Sequence, residues 1–274
     1  MISIFTTYTD PEKRNDPWEE AIECYKDFAE EVIITGHDWP YEFSWNHIGE
    51  TFQKGFDKSS GDWVIRMDID YFFHQNDFDQ IKSSLEKYNN YPAVSFPQYQ
   101  FFTPDRYHLK TRLCVALNKR KFPNIKLNGG GDLCLATLED KLITPKDVPS
   151  LSFPIYQYDS IFRTKKIIKE DRARFARAWF RYFNTYEPRG GPTEEEAYEA
   201  WYKEIKDKFQ YHTNKISIKN HPKYIIEKLN NLNDKQFGFD CFGLNQTANR
   251  NYRNFLAGKK ELYFGSSIIN RSLN

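Results

Sequence analysis

Over its first half the chain alternates short apolar runs with amphipathic stretches. Ile2 to Thr6 has strand length, and Asp16-Pro17 then predicts a helix start, with Asp16 as N-cap and Pro17 at the first position. Trp18, Ile22, Tyr25 and Phe28 share one face of a helix reaching about Ala29. Val32 to Thr35 predicts a second strand, ended by Gly36. Ser44 opens a helix that presents Ile48, Phe52 and Phe56 for packing on a sheet. A third strand, Val64, Ile65 and Met67, follows the turn signal Ser60-Gly61 and runs into Asp68-Ile69-Asp70. Asp77 caps a further helix carrying Phe78, Ile81 and Leu85, and Ala93 to Phe101 and Leu113 to Leu117 read as strands. This alternation predicts an α/β fold, with a mostly parallel sheet covered by helices on both faces.

From about Ile161 the pattern changes. Lys165 to Phe183 reads as a basic helix bearing Arg172, Arg174, Arg177 and Arg181, broken by Arg189-Gly190-Gly191-Pro192. Thr193 then caps a helix with Glu194 to Glu196 in its first turn, favourable at the positive end of the helix dipole. Its Tyr198, Trp201, Tyr202, Ile205 and Phe209 need a partner surface, and Phe175, Trp179 and Tyr182 of the basic helix provide the nearest one. Beyond Ile216 the chain is rich in Asn and Lys, with Phe237 to Phe239 and Cys241 to Gly243 predicted in loops. The expected division is residues 1–183, a sheet domain, and residues 184–274, a mainly helical extension packed on it.

Composition narrows the classes. At 274 residues and a net charge of +1, the chain can bury a large core and has no global field favouring nucleic acid or an anionic membrane. No stretch approaches the roughly 20 apolar residues of a membrane span. Met1 leads straight into a strand without the pattern of a secretory signal, so the chain is expected to be cytoplasmic. Cys24, Cys114, Cys134 and Cys241 show no metal or redox spacing and read as free thiols, while the acceptor patterns at Asn245 and Asn270 read as chance. The aromatic content is 17%, mostly core filler but suited also to sugar rings and nucleobases.

Asp68 and Asp70 carry the clearest chemistry. Two residues apart on an extended backbone, they point to the same side, and carboxylates suit Mg²⁺ or Mn²⁺ bridging to phosphates. A bare D-x-D also reads as a solvated strand end, so its surroundings matter. The stretch from Trp45 to Ile81, with Gly61-Asp62-Trp63 before the D-x-D and Tyr71, His74 and Asp77 after it, resembles the central signature of family 2-type glycosyltransferases with the GT-A fold. Gly129 to Leu133 (GGGDL), Pro154 to Arg163 and the basic helix follow in the family's order, so the resemblance covers about residues 1 to 183.

The resemblance implies a Rossmann-like mixed sheet flanked by helices, and metal-dependent, inverting transfer from a nucleotide-diphosphate sugar to an acceptor hydroxyl, such as a glycan's. In that reading Asp70 ligates Mn²⁺ or Mg²⁺ and Asp68 contacts ribose or metal-bound water. Gln157 stands where the family has a metal-binding histidine, and Tyr71 replaces the acid after the D-x-D. Asp132 is the candidate base, beside glycines that allow close approach of substrate; its plainer reading is an exposed turn. Arg163, Lys165 and Lys166 are diphosphate candidates, and Thr7, Tyr8, His37 and Asp38 donor candidates, with Tyr8 offering a ring to the base. His74 is expected to cap the following helix. Two alternatives remain: a non-catalytic glycan-binding or assembly module of the same fold, favoured by Gln157 and Tyr71, and a nucleotidyltransferase, disfavoured by the loop from Thr6 to Asp10, which lacks a Gly-rich phosphate-binding sequence.

Overall fold

The computed structural model describes residues 1–37, 39–127 and 135–245. Asp38, Asp132 and Cys134 therefore lie outside the described residues, as do the acceptor site at Asn270 and the whole GGGDL segment. The elements are β1 (Ile2–Thr7), α1 (Pro11–Arg14), α2 (Trp18–Phe28), β2 (Glu31–Thr35), α3 (Trp45–Lys58), β3 (Trp63–Arg66), β4 (Tyr71–Phe73), α4 (Phe78–Lys87), β5 (Ala93–Thr103) and β6 (Arg106–Asn118). There follow the short ribbon β7 (Thr137–Leu138) and β8 (Lys141–Leu142), then β9 (Ile155–Gln157), α5 (Lys165–Phe183), α6 (Glu194–Phe209), β10 (Asn214–Lys215), α7 (Ile226–Asn230) and α8 (Phe237–Asp240). The last of these is a helical turn where the sequence predicted a loop.

One mixed sheet organises the chain, in the order β2-β1-β3-β6-β5-β9-β4, with β10 beside β6. β1 runs parallel to β2 and β3, and β5 parallel to β9; the β3–β6, β5–β6 and β4–β9 pairs are antiparallel. The expected mostly parallel sheet is thus corrected. Only Pro104 and Asp105 separate β5 from β6, and so short a link can only return the chain antiparallel.

Strand alternation sends neighbouring side chains into different cores. Ile4 and Ile65 join one cluster with Tyr25 and Phe28 of α2 and Ile81 and Leu85 of α4. Phe5 and Val64 point the other way, joining Ile48, Phe52 and Phe56 of α3. The faces read from the 3.6-residue period on α2, α3 and α4 are the packed ones, whereas Phe175 and Trp179 of α5 pack towards α3 and Tyr182 is exposed, so they are not the partner surface expected for α6. Gly55 lets α3 lie close on β1: a Cβ there would stand 2.4 Å from the buried Phe5 ring.

Two caps differ from expectation. Helix α2 begins with Pro17 as N-cap and no side-chain cap, because Asp16 is drawn into ion pairs instead. Asp77 makes no cap bond either; His74 Nδ1 accepts from the Asn76 N–H at 3.2 Å, the capping role expected for this histidine. Thr193 does cap α6, in a reciprocal box with Glu196. Helix α6 packs against α5 through Ala197 on Ala173 and Ala176. Its Tyr198, Trp201 and Ile205 bury with Ile168 of α5, Phe102 of β5 and Phe237 of α8.

Candidate functional site

Parallel strands end where their connecting loops open, and ligands of α/β sheets bind beyond those carboxyl ends. A cavity of about 200 Å³ lies there. Thr7, Tyr8 and Thr9 enter it from the end of β1, Asp68 and Asp70 from beyond β3, and Trp39 from the loop after β2. Helix α3 contributes Ile48 and Phe52, and α5 contributes Arg174 and Phe175. Arg14, Asp16, Ile69 and Arg163 complete the wall. The lining combines aromatic and aliphatic side chains with charged ones.

The acidic pair sits in a turn. β3 ends at Arg66, and the Tyr71 N–H closes back on the Asp68 carbonyl at 2.8 Å, so the strand-like geometry expected for the pair is replaced by a bend. Both side chains still reach the cavity. The buried Tyr25 hydroxyl lies 2.6 Å from the Asp68 carbonyl and 2.9 Å from that of Tyr71, and the Tyr158 N–H donates to the Asp70 carbonyl at 2.9 Å. Burial, with Asp68 and Asp159 close by, pushes the Asp70 carboxyl up to about 8.

Arg163 is placed in the wall but is already engaged. Its Nε and Nη2 donate to Asp16 Oδ1 at 2.8 and 2.6 Å, and its Nη1 to Asp171 Oδ2 at 3.1 Å. Arg14 completes a four-membered cluster, with Nε 3.2 Å from Asp16 Oδ2 and Nη2 3.6 Å from Asp171 Oδ1. Burial raises the Asp171 carboxyl, but the flanking guanidiniums outweigh it and hold the group down at about 2. The diphosphate role expected for Arg163 thus competes with a structural one that uses three of its donors.

The basic helix is mostly a clamp. Arg174 donates to the Pro40 and Tyr41 carbonyls, Arg177 to Glu42, and Arg181 to Glu42 and the Phe43 carbonyl. Spaced at i, i+3 and i+7, these arginines share one face of α5 and strap the loop after β2 onto it. On another face Arg172 pairs with Asp159 at 3.5 Å.

Of the residues expected from the sequence, Thr7, Tyr8, Asp68, Asp70 and Arg163 are brought together. Tyr8 also packs on Trp18, with ring centroids 5.8 Å apart. His37 lies exposed in the turn after β2, and Lys166 is exposed on the first turn of α5; neither lines the cavity. Gln157 does not line the cavity either. It is buried in β9, and its amide oxygen accepts from Gln98 Nε2 at 2.8 Å and Lys110 Nζ at 3.4 Å. An oxygen facing an ammonium is a poor cation ligand. Lys165 lies over the Tyr198 ring, 4.8 Å from its centroid. Among the described residues, no group of three or more His, Cys, Asp or Glu side chains is placed to hold a metal ion by itself.

Arg14, Asp16, Trp39, Phe52, Arg174 and Phe175 were not expected in the site. Phe52 read as core by periodicity, Asp16 as a cap because Pro17 follows it, and Arg174 as one more charge on a basic helix. Trp39 had a usable signal, since it directly follows the donor candidates His37 and Asp38.

No family model matches the sequence, and no curated protein does. Among solved structures, the chain is similar to S. aureus TarS 1-349, with 10% identity over 94% of this chain and 92% of that one and a TM-score of 0.35. TarS 1-349 in complex with UDP and with UDP-GlcNAc matches at the same identity and coverage, with TM-scores of 0.38 and 0.37. At these scores the fold and site rest on this chain's own geometry. Among the described residues, no helix is long and apolar enough to cross a membrane.

Proposed function

We propose that the cavity is the donor site of a glycosyltransferase that takes a nucleotide-diphosphate sugar. The observation that supports this reading is the cavity's mixed lining of ring faces and charged groups. Tyr8, Trp39, Phe52 and Phe175 offer rings suited to a base or sugar, and Asp68, Asp70 and the arginines offer charged groups. A nucleoside diphosphate combines the same two chemistries.

The acidic pair fits a divalent cation. Asp70 is destabilised as an anion by burial and by Asp68, and a cation relieves both effects. Asp68 and Asp70 would hold Mg²⁺ or Mn²⁺ together with phosphate oxygens of the substrate, and the ion would supply charge neutralisation to the departing diphosphate. Asp16 also lines the cavity, but its carboxylate is tied into ion pairs with Arg14 and Arg163. Asp132, outside the described residues, is the proposed base of an inverting transfer on the strength of its sequence context.

The test is thermal denaturation with uridine, guanosine and thymidine diphosphates, with and without Mn²⁺, for wild type and Asp70→Asn. A ligand at 100 times its Kd stabilises the native state by about 2.7 kcal/mol. One base is expected to raise Tm in the presence of Mn²⁺, and Asp70→Asn to lose that shift. No shift from any diphosphate, or an undiminished one in Asp70→Asn, overturns the reading.

A further inference from the structure

We infer that Arg174 is the residue by which the cavity recognises the diphosphate of its ligand, setting nucleoside diphosphates apart from nucleosides; this rests on the donor-site reading above. The reasoning begins with charge. Three guanidiniums line the cavity, those of Arg14, Arg163 and Arg174. Two carboxylates, Asp16 and Asp171, stand within ion-pair distance of Arg14 and Arg163 and are taken up by them.

Among the described residues, no carboxylate stands at that distance from Arg174. Its Nε and Nη2 donate to the Tyr41 and Pro40 carbonyls, which carry no net charge, and its guanidinium lies 5.0 Å from the Phe43 ring centroid. Arg174 is only 6% exposed. Asp171 and Glu42 attract it at longer range and Arg14 repels it, and burial outweighs that attraction, so its charge is only partly offset.

A guanidinium cannot shed its proton to escape burial. Taking a charge out of water is costly unless a counter-charge compensates it, so an anion entering this cavity gains most at Arg174. The geometry of the wall adds selectivity. The same cavity carries the Asp68–Asp70 pair, which repels a bare anion and attracts a divalent cation. The ligand that satisfies both is an anion with enough oxygens to meet a cation at one place and a planar guanidinium fork at another, as a diphosphate has. Arg163, the arginine singled out by sequence, has its charge taken up by Asp16 and Asp171.

The test measures affinity by calorimetry in Mn²⁺ for uridine, guanosine, thymidine and their diphosphates, with wild type, Arg174→Gln and Arg174→Lys. In wild type the diphosphate of the preferred base is expected to bind more tightly than its nucleoside. The share of that gain due to a charge-assisted contact is about 10- to 100-fold. Arg174→Gln is expected to lose that share while keeping nucleoside affinity; Arg174→Lys, which keeps the charge but not the fork, loses part of it. If Arg174→Gln is not folded at the assay temperature, a diphosphate-specific loss of about threefold or more in Arg174→Lys carries the comparison. Diphosphate affinity unchanged in both variants, or nucleoside and diphosphate affinities falling together, overturns the inference and leaves Arg174 as part of the loop clamp. Absence of diphosphate binding by wild type overturns the donor-site reading itself, a result distinct from any variant-specific one.

Discussion

Replacing Arg163 by Met separates two roles that a basic residue in a cleft can play. If Arg163 is chiefly a keystone of the Arg14–Asp16–Arg163–Asp171 cluster, its removal acts on stability first. Breaking a buried ion pair by removing one partner costs about 3–5 kcal/mol, because it strands the other charge. Arg14 remains within 3.6 Å of both carboxylates, so the expected loss is at the lower end, about 3 kcal/mol. For a chain of this size that lowers Tm by about 6–10 °C. The acid limb gives a second reading. Asp171 is held at about 2 against an ordinary 3.8, so its ionised form contributes about 2.5 kcal/mol above pH 4, lost as the pH falls from about 4 towards 2. Arg163→Met returns Asp171 towards its ordinary value, and the gap between mutant and wild type therefore narrows as the pH drops. Urea denaturation of both proteins at pH 7 and at pH 3 measures each quantity. A mutant with the wild-type urea midpoint at pH 7 but weakened nucleotide affinity would refute the keystone assignment and return Arg163 to the diphosphate.

Tyr25→Phe removes the hydroxyl that lies against the Asp68 and Tyr71 carbonyls, and is expected to cost about 1–3 kcal/mol in urea denaturation; an unchanged midpoint would show that the acidic turn does not depend on it. Gly55→Ala places a Cβ against the Phe5 ring and is expected to destabilise by about 1–3 kcal/mol, read as a lower Tm, whereas a neutral or stabilising result would mean that α3 rides freely over β1.

Local pattern was enough for the elements whose residues answer to their near neighbours. The spacing of Ile22, Tyr25 and Phe28 already specifies the buried face of α2, and Thr193 with Glu196 specifies the start of α6, because helix faces and capping boxes close within one or two turns. The position of the acidic pair beyond β3 was legible for a similar reason: an apolar run that stops on two carboxylates marks where burial ends. Roles that depend on partners far along the chain were not. Asp16 has the sequence context of a helix cap, yet Arg163, 147 residues away, takes its carboxylate. Gln157 reads in the sequence as a metal-ligand candidate, but Gln98 on the neighbouring strand and Lys110 occupy its oxygen. The four arginines of α5 are alike in the one-dimensional pattern. Folding sends Arg177 and Arg181 to the loop after β2, Arg172 to Asp159, and Arg174 both to that loop and into the cavity wall. Hydrophobic period and turn chemistry are short-range and can be read along the chain. The state of a charge is set by whichever counter-charge and burial the sheet brings to it, and only the tertiary structure decides that.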